Sequence, residues 1–149
     1  MLSYAVLSYL IPAIGMVVAL GVTIVLWLSV AALISMTGGW ADLATRYAAS
    51  SRPKGREFRF QSAHLGGAWY SSIVTAIPCQ AGLYLELERP WRFRHSPLLI
   101  PWSDVLRLSK RRSLLGTKYY RVTLSDEPPM MIRLRRAAGS EIASYLKQT

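Results

Sequence analysis

The chain has 149 residues, with 18 Lys or Arg against 8 Asp or Glu, a formal net charge of +10 and one cysteine. Every charged side chain lies between Asp42 and Lys147, so Met1 to Ala41 carries none. That split excludes a uniformly water-soluble globule, and a single cysteine excludes an internal disulfide framework.

The uncharged front comes first. Leu10 to Met36 is apolar on every face and exceeds the about 20 helical residues needed to cross a hydrocarbon core of roughly 30 Å. Two crossings would need about 40 residues and a turn, for which the block has no room. One transmembrane helix is predicted, with residues 1–39 as the anchor. A cleaved signal peptide is disfavoured, because Met1 to Ala5 has no Lys or Arg and the apolar stretch exceeds the usual length of about 7–15 residues. Pro12 suits the first turn of this helix, and Thr37-Gly38-Gly39 suits its end. Tyr4 and Tyr9 at one end, with Trp40 and Tyr47 at the other, read as interfacial aromatics. Trp27 sits mid-span and reads as a lipid-facing or packing residue. Arg46, Arg52, Lys54, Arg56 and Arg59 follow the helix, which predicts an N-terminus outside and a cytoplasmic domain at the inner membrane. The lone Cys79 agrees with a reducing compartment.

Residues 40–56 form the next segment. Trp40, Leu43 and Tyr47 recur at helical spacing, and Asp42 can pair with Arg46. They predict either a short amphipathic helix along the membrane surface or a continuation of the transmembrane helix. Ala48 to Gly55 reads as a linker.

The domain over 57–149 begins with short strands. Phe58 and Phe60 alternate with Arg59 and Gln61, and Trp69 to Ile77 is rich in aromatic and β-branched residues. Leu83, Leu85 and Leu87 alternate with Tyr84, Glu86 and Glu88, the clearest period of two in the chain. Pro90 to Arg94 reads as a short extended piece and Leu98 to Ile100 as another. Val105 to Lys110 and Lys118 to Ser125 are joined through Gly116 as a hairpin, with Tyr120, Val122 and Leu124 inward and Tyr119, Arg121 and Thr123 outward. After the turn Asp126 to Pro129, Met130, Ile132 and Leu134 share a face. Ser140 then caps a helix whose apolar stripe is Ile142 and Leu146. About seven strands and one closing helix predict an α+β domain, a strongly bent antiparallel sheet or barrel plugged by the last helix.

Ala81-Gly-Leu-Tyr-Leu, Leu99-Ile-Pro-Trp-Ser-Asp-Val-Leu-Arg-Leu and Leu114-Leu-Gly-Thr give this region a resemblance. From about Phe58 to Leu146 it resembles a pleckstrin-homology-like domain of the GRAM or bacterial membrane-protein kind. In those families a Gly-Leu strand is followed by an Ile-Pro-Trp step, and a C-terminal helix caps the barrel. The resemblance implies a module that binds lipids, peptides or proteins, without choosing among them.

No catalytic set is expected. Cys79 follows Pro78 with no histidine placed to serve it, and His64 and His95 read as loop residues. Two histidines and one cysteine make a poor zinc set, and Gly38-Gly39 and Gly66-Gly67 lack a phosphate-loop pattern. No metal or cofactor is expected. A deep polar pocket around His64, His95 or Asp104 would be the mark of an enzyme. The basic residues are the better lead: Lys110, Arg111, Arg112 and Lys118 about the hairpin, and Arg133, Arg135 and Arg136 at the end of the last strand. Beside an anionic leaflet each adds about 1 kcal/mol of attraction. The alternative is solvated charge obeying the positive-inside bias. A nucleic-acid partner is not expected, because no such motif is present and topology accounts for the charge. Trp91, Trp102 and Tyr119, near Arg92, Arg94 and Arg121, have the composition of an interface, although Trp102 after Pro101 reads as a corner packing residue.

The leading expectation is a non-enzymatic, single-pass membrane protein that presents a docking domain for a protein partner or acidic lipid headgroups. The alternative is a small accessory subunit held in a larger membrane complex through its helix, where Gly15, Ala19 and Thr23 recur every four residues. Whether the chain self-associates stays open.

Overall fold

The computed structural model describes residues 4–37, 39–125 and 130–147. In chain order these form α1 (Tyr4–Thr37), α2 (Trp40–Tyr47), β1 (Phe58–Leu65), β2 (Ala68–Cys79), β3 (Gly82–Leu87), β4 (Leu98–Ile100), a single 3-10 turn at Trp102–Asp104, β5 (Arg107–Arg112), β6 (Lys118–Ser125), β7 (Met130–Arg135) and α3 (Arg136–Leu146). The seven strands make one antiparallel sheet in the order β4-β3-β2-β1-β7-β6-β5. It curls into a half-barrel, and α3 packs on its inner side against β2, β6 and β7. The expected α+β architecture is therefore present.

Among the described residues, Val6–Leu33 is the one stretch long and apolar enough to cross a bilayer, with mean hydropathy 2.5. Its side chains are exposed on nearly all sides, a surface that suits hydrocarbon rather than water. Pro12 lies inside α1 rather than in its first turn, because the helix starts at Tyr4. Gly39 ends the run, as expected: its φ of 73° is left-handed backbone, which glycine adopts without a Cβ penalty.

α2 is a separate helix, and its apolar face meets the sheet instead of the membrane surface. Trp40 and Leu43 are buried, so Trp40 is a core residue rather than an interfacial aromatic. Tyr47 is likewise engaged, donating its hydroxyl to Asp104 Oδ2 at 2.7 Å. Asp42 and Arg46 form no ion pair. The segment expected as a free linker is stitched down: Ala48 bridges Leu98, Ala49 N–H donates to the Pro97 carbonyl, and Arg52 pairs with Glu57 and Glu86.

The period-two reading holds for β6 and β7, where Tyr120, Val122, Met130, Ile132 and Leu134 are buried. It fails in β1 and β3. A bulge puts Phe60 at φ 60° and shifts the register, so Phe60 turns outward and Gln61 turns in. The buried Gln61 amide donates to the Arg59 carbonyl and accepts from Arg135 N–H, both at 2.7 Å, which fills the gap in the ladder. In β3 every residue is buried. Tyr84 and Glu86, expected outside, are covered by Arg52 and Arg92, which pair with Glu86 at 2.9 and 3.3 Å. Pro90 to Arg94 is a turn rather than an extended piece. β5 starts two residues later than expected. The turn expected over Asp126 to Pro129 lies outside the described residues.

α3 begins at Arg136, four residues before the expected cap, and Ser140 instead donates back to the Ala137 carbonyl. Ile142 is buried and Leu146 half-buried, so the apolar stripe does close the sheet. Trp102 is the corner residue expected, its indole N–H on the Cys79 carbonyl at 2.9 Å and its ring stacked on Tyr145.

Gly82 opens β3 at φ 151°, and a Cβ there would stand 2.1 Å from the Ile100 carbonyl oxygen of β4. Backbone cannot yield as a side chain does, so Gly82→Ala is expected to cost at least about 1–3 kcal/mol. A drop in the denaturation midpoint of that size checks it, and an unchanged midpoint would remove this account of the Gly-Leu strand start.

Candidate functional site

Strand alternation decides which basic side chains share a face. Val122 and Ile132 point inward, so their neighbours point out. Across β5, β6 and β7 the outward rungs are Arg111–Tyr119–Arg135, Ser109–Arg121–Arg133 and Arg107–Thr123–Met131. Five arginines thus lie on one sheet face. Arg121 and Arg133 stand directly opposite each other, an arrangement of like charges that weakens strand pairing. No acid occupies Val105 to Ser125 or Met130 to Ser140. Glu57, Glu86, Glu88 and Glu141 pair instead with Arg52, Arg56, Arg59 and Arg92. There the Arg59 guanidinium on Glu88 holds that carboxyl below its ordinary range.

The expected candidates come together more closely than two separate clusters would. Lys110, Arg111, Arg112, Lys118 and Arg136 line a cleft of about 450 Å³ with Tyr119, Tyr120 and Ser140. Lys118, Arg133, Arg135 and Arg136 line an adjoining one of about 660 Å³ with Phe60, Trp69 and Tyr119. Lys118, Tyr119 and Arg136 line both. Arg133 lies over the Tyr119 ring, 4.1 Å from the centroid, a cation–π contact worth about 0.5–1 kcal/mol at an exposed site.

A third cleft of about 380 Å³ contains residues that were not candidates: His64, Trp69, Arg121 and Met131, beside Tyr119 and Arg133. His64 packs on Trp69 with ring centroids 5.5 Å apart, and its Nδ1 is buried without a hydrogen-bond partner among the described residues. The outward alternation of Tyr119 and Arg121 was the available signal. What brings His64 and Trp69 beside them is the β1–β7 pairing, His64 opposite Met131, which joins strands far apart in the chain. Chemically the face offers planar guanidiniums, aromatic rings and one imidazole, a set that accepts carboxylates or phosphates.

The other expected positions fall elsewhere. Gly15, Ala19 and Thr23 remain on the helix, with open space around Gly15. Cys79 is buried, its thiol toward the Gly82 carbonyl. Among the described residues no three His, Cys, Asp or Glu side chains stand together as a metal site would need. No protein-family model matches this chain, and no curated protein does.

His95 belongs to the joint between the front helices and the sheet. It is buried against Trp40 and Tyr70, with ring centroids 5.6 and 5.7 Å away. Nδ1 stands 2.8 Å from the Phe93 carbonyl, which can only accept, so Nδ1 carries the proton. Burial pushes the imidazole below its ordinary value, against the raising effect of that carbonyl. The unfolded chain binds a proton near pH 6.5 more readily than the folded one. His95 therefore supports the fold above about pH 6.5, and this support is lost as the pH falls through the lower folded value. Unfolding midpoints measured across that window should drop on acidification. His95→Gln, which retains a donor for the Phe93 carbonyl, should flatten the drop; an unaltered slope would assign it to other groups.

Proposed function

We propose that the chain is a non-enzymatic, single-pass membrane protein of the inner membrane whose pleckstrin-homology-like, GRAM-like domain docks an acidic segment of a protein partner on the cytoplasmic side. The single long apolar helix and the Lys/Arg-rich flank after it support the placement. The curled seven-stranded sheet, the closing helix, the Gly82-Leu83 strand start and the Pro101-Trp102 corner support the family reading.

The observation that carries the docking reading is the opposed pair Arg121 and Arg133, which has no acid paired with it among the described residues. Such a local conflict weakens the sheet and is relieved by an anionic ligand, the usual sense of a broken local rule at a functional site. Distance favours a protein over the underlying lipid. The anchor ends beside the β1–β2 turn, where a Cβ on Gly39 would stand 3.0 Å from the Leu65 backbone and 3.1 Å from that of Gly66. Leu65 pairs with Met130 at the start of β7, and Arg133 lies three residues further, about 10 Å along the strand. That is a little over one Debye length at physiological salt, which weakens a leaflet's attraction about threefold.

The test uses the full chain in phosphatidylcholine nanodiscs and a fluorescein-labelled glutamate-rich peptide. Binding should weaken with salt, and Arg121→Glu with Arg133→Glu should raise Kd at least about tenfold, equivalent to about 1.4 kcal/mol. Equal binding by the charge-reversed chain would overturn the proposal. In phosphatidylglycerol nanodiscs peptide binding should persist, whereas its displacement would transfer the site to lipid headgroups.

A further inference from the structure

The turn between β3 and β4 stands beside the apolar helix at an informative level. Trp91 packs on Trp27, with ring centroids 5.4 Å apart, and Ala31, one helical turn on, is buried. This side of α1 faces the domain. A different side stays largely exposed over the same stretch: Leu26 and Leu33 are both 61% exposed and Val30 is 52% exposed. At 3.6 residues per turn these three share one face. Leaving them in water forfeits up to about 1.5–3 kcal/mol for each large side chain, so the bilayer, headgroup layer included, has to reach about Leu33.

Lengths then fix the depth of Trp27. Val6–Leu33 is 28 residues, about 42 Å of helix. That matches a whole bilayer with its headgroups, about 40–45 Å, around a hydrocarbon core of roughly 30 Å. Each headgroup layer is then about 6 Å thick, and Trp27 lies about 9 Å inside the Leu33 end. It sits at the boundary of headgroups and acyl chains, the level that tryptophan prefers. Whatever packs on Trp27 shares that level.

We propose that the Pro90–Arg94 turn is a second membrane contact, with Trp91 and Phe93 entering the headgroup–acyl boundary beside the helix and Arg92 and Arg94 held among the phosphates. Phe93 is 43% exposed in the isolated chain, an apolar ring that the protein only partly covers. Arg92 and Arg94 flank it, and long basic side chains bury their stems while keeping the charge at the polar level. Arg92 also reaches Glu86 at 3.3 Å, which ties the turn to β3. His95 anchors its far side through the Phe93 carbonyl. The domain would thus be held to the bilayer at two points, which limits its tilt.

This inference rests on α1 spanning a bilayer, and the experiment separates the two. Nitroxide labels are placed singly at Leu26→Cys, Phe93→Cys and Leu114→Cys in the full-length Cys79→Ser chain, whose serine keeps a donor toward the Gly82 carbonyl. The chain is reconstituted in phosphatidylcholine vesicles, and collisions with oxygen and with a nickel chelate are compared. Oxygen should dominate at 26 and at 93, less strongly at 93, and nickel should dominate at 114, on the hairpin at the other end of β6. Oxygen dominance at 26 with nickel dominance at 93 would overturn the second contact alone. Nickel dominance at 26 would overturn the span and this inference with it. Bromolipid quenching of tryptophan emission in the unlabelled chain, weakened by Trp91→Phe, should agree. Undiminished quenching in that variant would count against the contact.

Discussion

The arrangement of this molecule depends on where Trp40 goes. It follows the left-handed Gly39 that ends the apolar helix, and it is 0% exposed. Its indole N–H donates to the Ser96 carbonyl at 2.8 Å, and its ring lies against Tyr70 at 5.4 Å and His95 at 5.6 Å. A buried indole contributes a large apolar area and carries a donor that needs a partner; both needs are met by the sheet, not by the membrane surface. The helix and the sheet consequently meet at a fixed joint rather than through a flexible tether. Ala48, Ala49 and Arg52 extend that joint along β4 and β3. Without it, neither the level of the Pro90–Arg94 turn nor the distance of the basic clefts from the anchor would be defined.

With that joint in place, the domain has two ends of different character. The β1–β2 turn lies beside the end of the anchor. The β5–β6 hairpin, the end of β7 and the start of α3 lie at the other end, and the basic residues gather there. Glu57, Glu86, Glu88 and Glu141 pair instead with Arg52, Arg56, Arg59 and Arg92, and the Arg52–Glu86 pair ties the linker to β3. The positive-inside bias accounts for the charge flanking the anchor. It gives no reason for Arg121 to stand opposite Arg133 in a sheet, and that placement gives the docking proposal its weight.

Some elements were readable because a local period produced them. Met130, Ile132 and Leu134 alternate and are buried, and Tyr120 and Val122 do the same. The Pro101-Trp102 corner was readable because a tryptophan after a proline has few other places to go. Other elements were not readable, each for a definite cause. The bulge at Phe60 depends on a one-residue slip against β2, which no alternation within β1 reveals. Tyr84 and Glu86 alternate as outward residues but are covered by arginines from the linker and the β3–β4 turn. α3 starts at Arg136, ahead of Ser140, and Gly139 lies within it against the Tyr120 ring, where a Cβ would stand 2.1 Å from Cγ. Ser140 looked like a cap for want of that knowledge.

The candidate site divides along the same line. Lys110, Arg111, Arg112, Lys118, Arg133, Arg135 and Arg136 stand out as charge clusters within single segments. That His64, Trp69 and Arg121 join them follows only from β1 pairing with β7. The sequence by itself determined the apolar front, the basic remainder and the strand-then-helix order, because hydrophobicity and charge act residue by residue. Only the tertiary structure decided that Trp40 turns into the core, that one sheet face gathers five arginines and that Trp91 meets Trp27. Each of these needs two segments distant in the chain to be brought into register, and that information resides in the pairing of strands and not in any one of them.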